Sequence, residues 1–186
     1  MKIILASASP RRKKLLEDAG INFKIDHANI DETIDPALTP LQFVKKLSLQ
    51  KAKLVAKKYK NEIIIGADTI IALGKVTIGK PKNKKDAAKI LKQLSGKMHS
   101  VITAFTIINT QTKKIITQAV KTKVFFKKIT DKEISKYLLT AKILDKAGAY
   151  AIQEEGSAFV KKTVGDYTNI IGLPVKPLLK ELKNIY

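Results

Sequence analysis

Two adjacent arginines, Arg11 and Arg12, stand in the segment Ala6-Ser7-Ala8-Ser9-Pro10-Arg11-Arg12, and they are the only arginines among 36 lysines and arginines. Everywhere else the chain writes positive charge as lysine. A planar guanidinium grips carboxylate or phosphate oxygens through two parallel hydrogen bonds, which a point-like ammonium does not do. The pair also follows Ser9-Pro10, a helix start whose free N–H groups favour anions. The layout is that of an anion-binding corner, to be weighed against two ordinary surface arginines.

Asp68 is the first acidic candidate. The isoleucine-rich run Glu62 to Ala67 reads as a buried strand that Asp68 terminates, flanked by the small Gly66 and Ala67 and by the hydroxyl of Thr69. A carboxylate at the C-terminal end of a strand lies where open α/β sheets place ligands. It could hold Mg²⁺ or Mn²⁺, serve as a general base on water, or simply cap a turn. Asp31-Glu32 puts two hard oxygen donors in one loop, suited to a divalent cation but equally to plain solvation. Lys51 and Lys80 are candidate phosphate-binding ammonium groups, although chemistry alone does not single them out among so many lysines. Gly79 and Pro81 would at least hold Lys80 in a rigid loop. His27 and His99 read as structural hydrogen-bonding residues, and no His and carboxylate pattern has zinc-ligand spacing. A Walker A loop and a dinucleotide-binding glycine fingerprint are both absent.

The elements that must position these groups alternate. Ile3-Ile4-Leu5 is a short buried strand, and a helix from Ser9-Pro10 runs through Leu15, Leu16 and Ala19 to Gly20. Phe23 to His27 reads as a second strand, followed by the acidic loop. Thr39-Pro40-Leu41-Gln42 is a capping box opening a long helix to about Tyr59. After the Asp68 strand, Ile70 to Leu73 and Val76 to Ile78 form a hairpin around Gly74-Lys75. Asn83 caps a helix that ends at Gly96. Val101 to Asn109 and Ile115 to Phe126 are long strands, and Thr130-Asp131-Lys132-Glu133 caps a helix through Leu139. Ala149 to Ile152 and Ala158 to Val160 read as short strands, and Pro174 to Leu182 as a final helix. This alternation predicts an α/β fold.

Composition sets the frame. The 186 residues suffice for one large domain or two small lobes, and with no linker or repeat we read 1–186 as one domain. No run approaches the roughly 18 apolar residues of a membrane span. The apolar start Met1 to Ser7 is too short for a secretory signal. The absence of cysteine removes disulfides and thiolate chemistry and fits a cytoplasmic location. A formal charge of +20 admits nucleic acid, an acidic membrane surface or an anionic small substrate. The lysines are spread along the chain, and aromatics make up only 6% with no Trp, which gives no stacking platform for nucleic acid.

Taken together, six segments resemble the Maf family. They are Ser7-Ala8-Ser9-Pro10-Arg11-Arg12-Lys13-Lys14-Leu15-Leu16, Gly66-Ala67-Asp68-Thr69, Gly79-Lys80-Pro81, Leu94-Ser95-Gly96-Lys97-Met98-His99-Ser100-Val101-Ile102-Thr103, Asp145-Lys146-Ala147-Gly148-Ala149-Tyr150-Ala151-Ile152-Gln153 and Asn169-Ile170-Ile171-Gly172-Leu173-Pro174. They fall in family order across nearly the whole chain. The resemblance implies a mixed, elongated β-sheet flanked by helices, like that of inosine triphosphatases, with a substrate cleft between two lobes. It also implies a nucleoside triphosphate pyrophosphatase using a divalent metal, Mg²⁺ or Mn²⁺, and a homodimer.

Carried over position by position, Asp68 matches the family's proton acceptor, with Glu32 and Asp68 toward the metal. Ser9, Arg12, Lys51 and Lys80 match phosphate contacts, and Arg11, Thr69 and Gln153 match the three positions tied to base choice. Members acting on 7-methyl-GTP read Ser-Pro-Tyr-Arg for Ser-Pro-Arg-Arg, Ser-Asp-Gln for Ala-Asp-Thr, and Glu for Gln153, so this chain resembles the dTTP/UTP type. A neutral Gln amide donates and accepts, matching the O4 and N3–H edge of uracil or thymine. The competing expectation, a basic nucleic-acid-binding regulator linked to septum formation, rests on charge alone.

Overall fold

The longest apolar runs of the chain become the middle of one mixed sheet. In the computed structural model, which describes residues 1–185, the strands are β1 (Lys2–Leu5), β2 (Phe23–Ile25), β3 (Glu62–Leu73), β4 (Val76–Ile78), β5 (Met98–Asn109), β6 (Ile115–Phe126) and β7 (Val160–Val164). Their order is β2-β1-β3-β5-β6-β7, with β4 also paired to β3. β1 runs parallel to β2 and β3, and the other pairs are antiparallel. The helices are α1 (Pro10–Asp18), α2 (Pro40–Ala56), α3 (Lys84–Leu94), α4 (Asp131–Thr140), α5 (Tyr167–Ile171) and α6 (Val175–Asn184). This is the expected α/β fold with a helix-flanked mixed sheet.

Alternation along β3 decides which helix covers which face, because successive strand residues point to opposite sides. Ile63, Ile65 and Ala67 pack with Leu15 and Leu16 of α1 and Leu178 and Leu182 of α6. On the other face Ile70 and Ala72 lie under Phe43, Val44 and Leu47 of α2, and Ile64 meets Ala52 and Val55. Farther along, α3 and α4 close over Ile71, Val101, Val124 and Phe126 with Tyr137, Tyr150 and Phe159. The caps form where their residue types place them. Thr39 and Thr130 make reciprocal capping boxes with Gln42 and Glu133, and Asn83 accepts from the Asp86 N–H.

Three expectations are corrected. Asp68 does not end its strand: β3 continues to Leu73 because β5 pairs with it through Ala72↔Ser100. Ala149 to Ile152 is not a strand, since Gly148 and Ala149 have φ of 71° and 61° and turn the chain in a 3₁₀ segment, Ala147–Ala149. The segment around Ala158 is likewise 3₁₀, and its strand β7 begins only at Val160. The short helix α5 was not foreseen. It starts at an Asp166 cap that accepts the Asn169 N–H.

Candidate active site

A notch in the sheet creates the site. β1 pairs with β3 only as far as Leu5↔Ile65, and β4 joins the same edge only from Ile71↔Ile78. The edge of β3 from Gly66 to Ile70 is therefore unpaired on that side. A pocket of about 360 Å³ opens there, reaching both faces of the strand around its free edge. Asp68 and Thr69 are neighbours that must point to opposite faces, yet both line this one pocket. The notch explains how a residue in mid-strand is as reachable as one at a strand end.

On the α2 face, four charged groups form one cluster. The Lys51 ammonium lies 2.6 Å from Asp68 Oδ1 and 2.7 Å from Glu32 Oε1, while Lys80 lies 2.6 Å from Glu32 Oε2. Lys51 and Asp68 are both buried. Burial pushes the Glu32 carboxyl up, but the hydrogen bonds from Lys51 and Lys80 outweigh it and hold the group at about 2. Glu32, Lys51, Asp68 and Lys80 come from the acidic loop, α2, β3 and the Gly79-Lys80-Pro81 loop, and the fold brings all four together.

The opposite face holds the arginine corner. Ser9 caps α1 without using its side chain, which leaves its hydroxyl and the first-turn N–H groups open to the pocket. Arg12 is turned inward. Its Nε donates to the Gly172 carbonyl at 2.8 Å, Nη1 to Ser7 Oγ at 3.0 Å and Nη2 to Thr69 Oγ1 at 3.0 Å. Three of its five N–H donors thus brace the fold, and two remain. The Gly172 carbonyl is aimed by α5, whose Asn169 amide donates to the Val101 carbonyl and Thr122 Oγ1 and accepts the Thr103 N–H. Gly172 itself adopts φ 131°, which favours glycine.

Thr69 Oγ1 also meets Thr103 Oγ1 at 3.0 Å. Arg11 leaves the arginine corner and donates to Asp145 Oδ2 at 2.9 Å. Burial raises the Asp145 carboxyl, yet the hydrogen bonds from Lys146 and Arg11 leave it below the ordinary range. Gln153 is exposed on the pocket lining. Sequence reasoning missed Asp145 and Lys146 as individual pocket residues, although both sit in a segment it had singled out.

Two hard carboxylate oxygens, from Glu32 and Asp68, converge on the position of one ammonium. No group of three or more His, Cys, Asp or Glu could hold a metal among the described residues. Two carboxylate oxygens at one point would suit a hard cation such as Mg²⁺ or Mn²⁺, which one or two carboxylates can hold together with substrate phosphates. The pair does not form an all-protein cage.

A family model described as Maf-like protein matches residues 2–185. A dTTP/UTP pyrophosphatase of Alkaliphilus oremlandii (strain OhILAs) is 45% identical over 184 residues, covering 98% of this chain and 95% of that protein. One from Bacillus anthracis is 46% identical over 182 residues, covering 98% and 94%. Among solved structures, the Staphylococcus aureus Ham1 protein matches over 100% of both chains with a TM-score of 0.54 at 12% identity, a likeness of fold alone.

Proposed function

The chain belongs to the Maf family, and from this premise we propose that it hydrolyses dTTP and UTP to the monophosphate and pyrophosphate. The observation that carries the reading is the single cluster in which Lys51 bridges Asp68 and Glu32, and Glu32 in turn pairs with Lys80. Its chemistry is that of triphosphate hydrolysis. Asp68, fixed by Lys51, orients a water molecule and accepts its proton as the water oxygen attacks the α-phosphorus. The bridging P–O bond to the β-phosphate breaks, and pyrophosphate leaves with the bonding electron pair. Ser9, the α1 N-terminus, Arg12, Lys51 and Lys80 hold the phosphates and offset charge that builds on their oxygens.

Glu32 and Asp68 would hold a divalent cation, Mg²⁺ or Mn²⁺, which supplies Lewis-acid polarisation of the phosphate oxygens when bound. Arg11, Thr69 and Gln153 read the base. The space between the α1/α6 cluster and the α3/α4 cluster is the substrate cleft between two lobes in this reading. The global charge of +20 draws anionic nucleotides toward it. The role is clearance of the nucleotide pool in the cytoplasm by a homodimer, and no helix of the described residues is long and apolar enough to cross a membrane. Specific nucleic-acid binding is not favoured, since no observation besides charge supports it.

The test is release of pyrophosphate from a panel of nucleotides with Mg²⁺ or Mn²⁺, before and after EDTA. Turnover of dTTP and UTP far above ATP, GTP, CTP and 7-methyl-GTP, abolished by EDTA, is expected. Failure to release pyrophosphate from any nucleotide overturns the reading.

A further inference from the structure

Lys146 is one of the most buried charged groups of the chain, at 4% exposure, and the catalytic cluster does not use it. Its ammonium has three N–H donors and meets three acceptors: the Lys142 carbonyl, Asp145 Oδ1 at 3.0 Å and Glu154 Oε2 at 3.4 Å. Desolvating an ammonium is costly, and an apolar residue of similar volume often serves a fold as well or better. Stability alone therefore does not account for Lys146. Its partners suggest what does. Asp145 uses its other oxygen to hold Arg11 Nη1 at 2.9 Å and its carbonyl to meet Nη2 at 3.4 Å. Glu154 is adjacent in sequence to Gln153, which lines the pocket.

We propose that Lys146 is a positioning residue for base selection, tying Arg11 through Asp145, and Gln153 through Glu154, into one rigid edge of the pocket. The assignment rests on the base-reading roles given above to Arg11 and Gln153. Two residues on separate elements read one base edge only if their spacing is fixed, and here a single buried ammonium spans both attachments. Asp145 and Glu154 are half exposed, at 54% and 47%. Without Lys146 between them each would be a solvated surface carboxylate with little hold on its neighbour.

The experiment compares kcat/KM for UTP and CTP, together with competitive inhibition by inorganic tripolyphosphate, which has no base. In Lys146→Met the UTP-to-CTP ratio falls about tenfold, as when a polar recognition edge is loosened. Tripolyphosphate inhibition stays within about twofold, and Lys146→Arg recovers part of the ratio. Glu154→Ala removes an exposed carboxylate whose one ion pair among the described residues is with Lys146. It leaves folding intact and lowers the ratio in the same direction by a smaller factor. An unchanged ratio in both Lys146→Met and Glu154→Ala overturns the proposal, as does an equal loss for UTP, CTP and tripolyphosphate. If the unmodified protein does not prefer UTP to CTP, the base-reading roles fall and this assignment with them. A preference that survives in the variants removes only the assignment.

Discussion

Gly66 of β3 and Ser48 of α2 approach so closely that a methyl group on Gly66 would lie 2.5 Å from the Ser48 carbonyl oxygen. The same methyl would lie 2.7 Å from the backbone nitrogen of Ala52. Both neighbours are helix backbone, which cannot swing aside as a side chain can. This contact sets how near α2 lies to the strand, and so sets the 2.6 Å between Lys51 and Asp68. Gly66→Ala forces the helix outward. We expect a loss of about 1–3 kcal/mol in urea unfolding, typical of overpacking, with a fall in pyrophosphate release at saturating nucleotide. Unchanged stability and turnover would show that the helix does not set the site.

Asp68→Asn separates positioning from proton transfer. The amide oxygen still accepts a hydrogen bond from Lys51, so the variant keeps its fold and binds nucleotide. Its turnover falls by about 10²–10⁴-fold, the range of a general base. Circular dichroism and nucleotide titration check the first statement, and pyrophosphate release checks the second. Near-normal turnover removes Asp68 from the mechanism.

Lys51→Met exposes the two carboxylates to one another. With the ammonium gone, Glu32 and Asp68 converge on an unneutralised point that favours a divalent cation. Mn²⁺ binding to the nucleotide-free protein, followed by calorimetry, should strengthen by about tenfold relative to the unmodified chain. Weaker or equal Mn²⁺ binding contradicts the placement of the metal between these two residues.

His99 makes acid stability predictable. It is fully buried, its Nε2 lies 2.8 Å from the Tyr150 hydroxyl, and its Nδ1 has no partner among the described residues. Burial lowers its pKa from 6.5 to about 4. Below pH 6.5 the unfolded chain takes up a proton that the native state refuses until about pH 4. The stabilising contribution is thus complete above 6.5 and lost as the pH falls toward 4, by about 3 kcal/mol at most. His99→Phe lacks this titration, so the urea midpoint of the unmodified protein should fall relative to that of the variant between pH 7 and pH 4.5. A relative midpoint that stays constant or rises contradicts the assignment.

The fold was legible where local chemistry and tertiary packing agree. Thr39, Asn83 and Thr130 carry their caps in sequence, and the isoleucine runs carry the strands. Asp68 was found for its neighbours but placed at a strand end, because nothing in Gly66-Ala67-Asp68-Thr69 reveals that β5 extends the pairing to Ala72. The notch depends on where two other strands stop, a non-local fact. The left-handed backbone at Ala149 was equally hidden, since an alanine gives no sign of positive φ. Lys146 could not be picked from 34 lysines by type. Its burial together with its three acceptors distinguishes it.

The three positions proposed to read the base differ in how freely they can be changed. Gln153 is exposed, and its side chain makes no hydrogen bond within the described residues, so Gln153→Glu alters the pocket with little cost to the fold. Its carboxylate cannot donate to O4 of uracil or thymine, and turnover of dTTP and UTP should fall by about tenfold or more. Turnover of 7-methyl-GTP, whose ring is positively charged, should rise. Thr69 is different: its hydroxyl accepts from Arg12 and meets Thr103 and the Gly172 carbonyl. Thr69→Gln breaks that network and should cost about 1–3 kcal/mol of stability. Arg11→Tyr releases Asp145 and loosens the segment that carries Gln153. The triple variant should therefore move furthest toward 7-methyl-GTP while melting well below the single Gln153→Glu protein. Specificity constants for UTP, CTP and 7-methyl-GTP, measured beside thermal midpoints, test both halves. If Gln153→Glu leaves the UTP preference intact, Gln153 does not read the base.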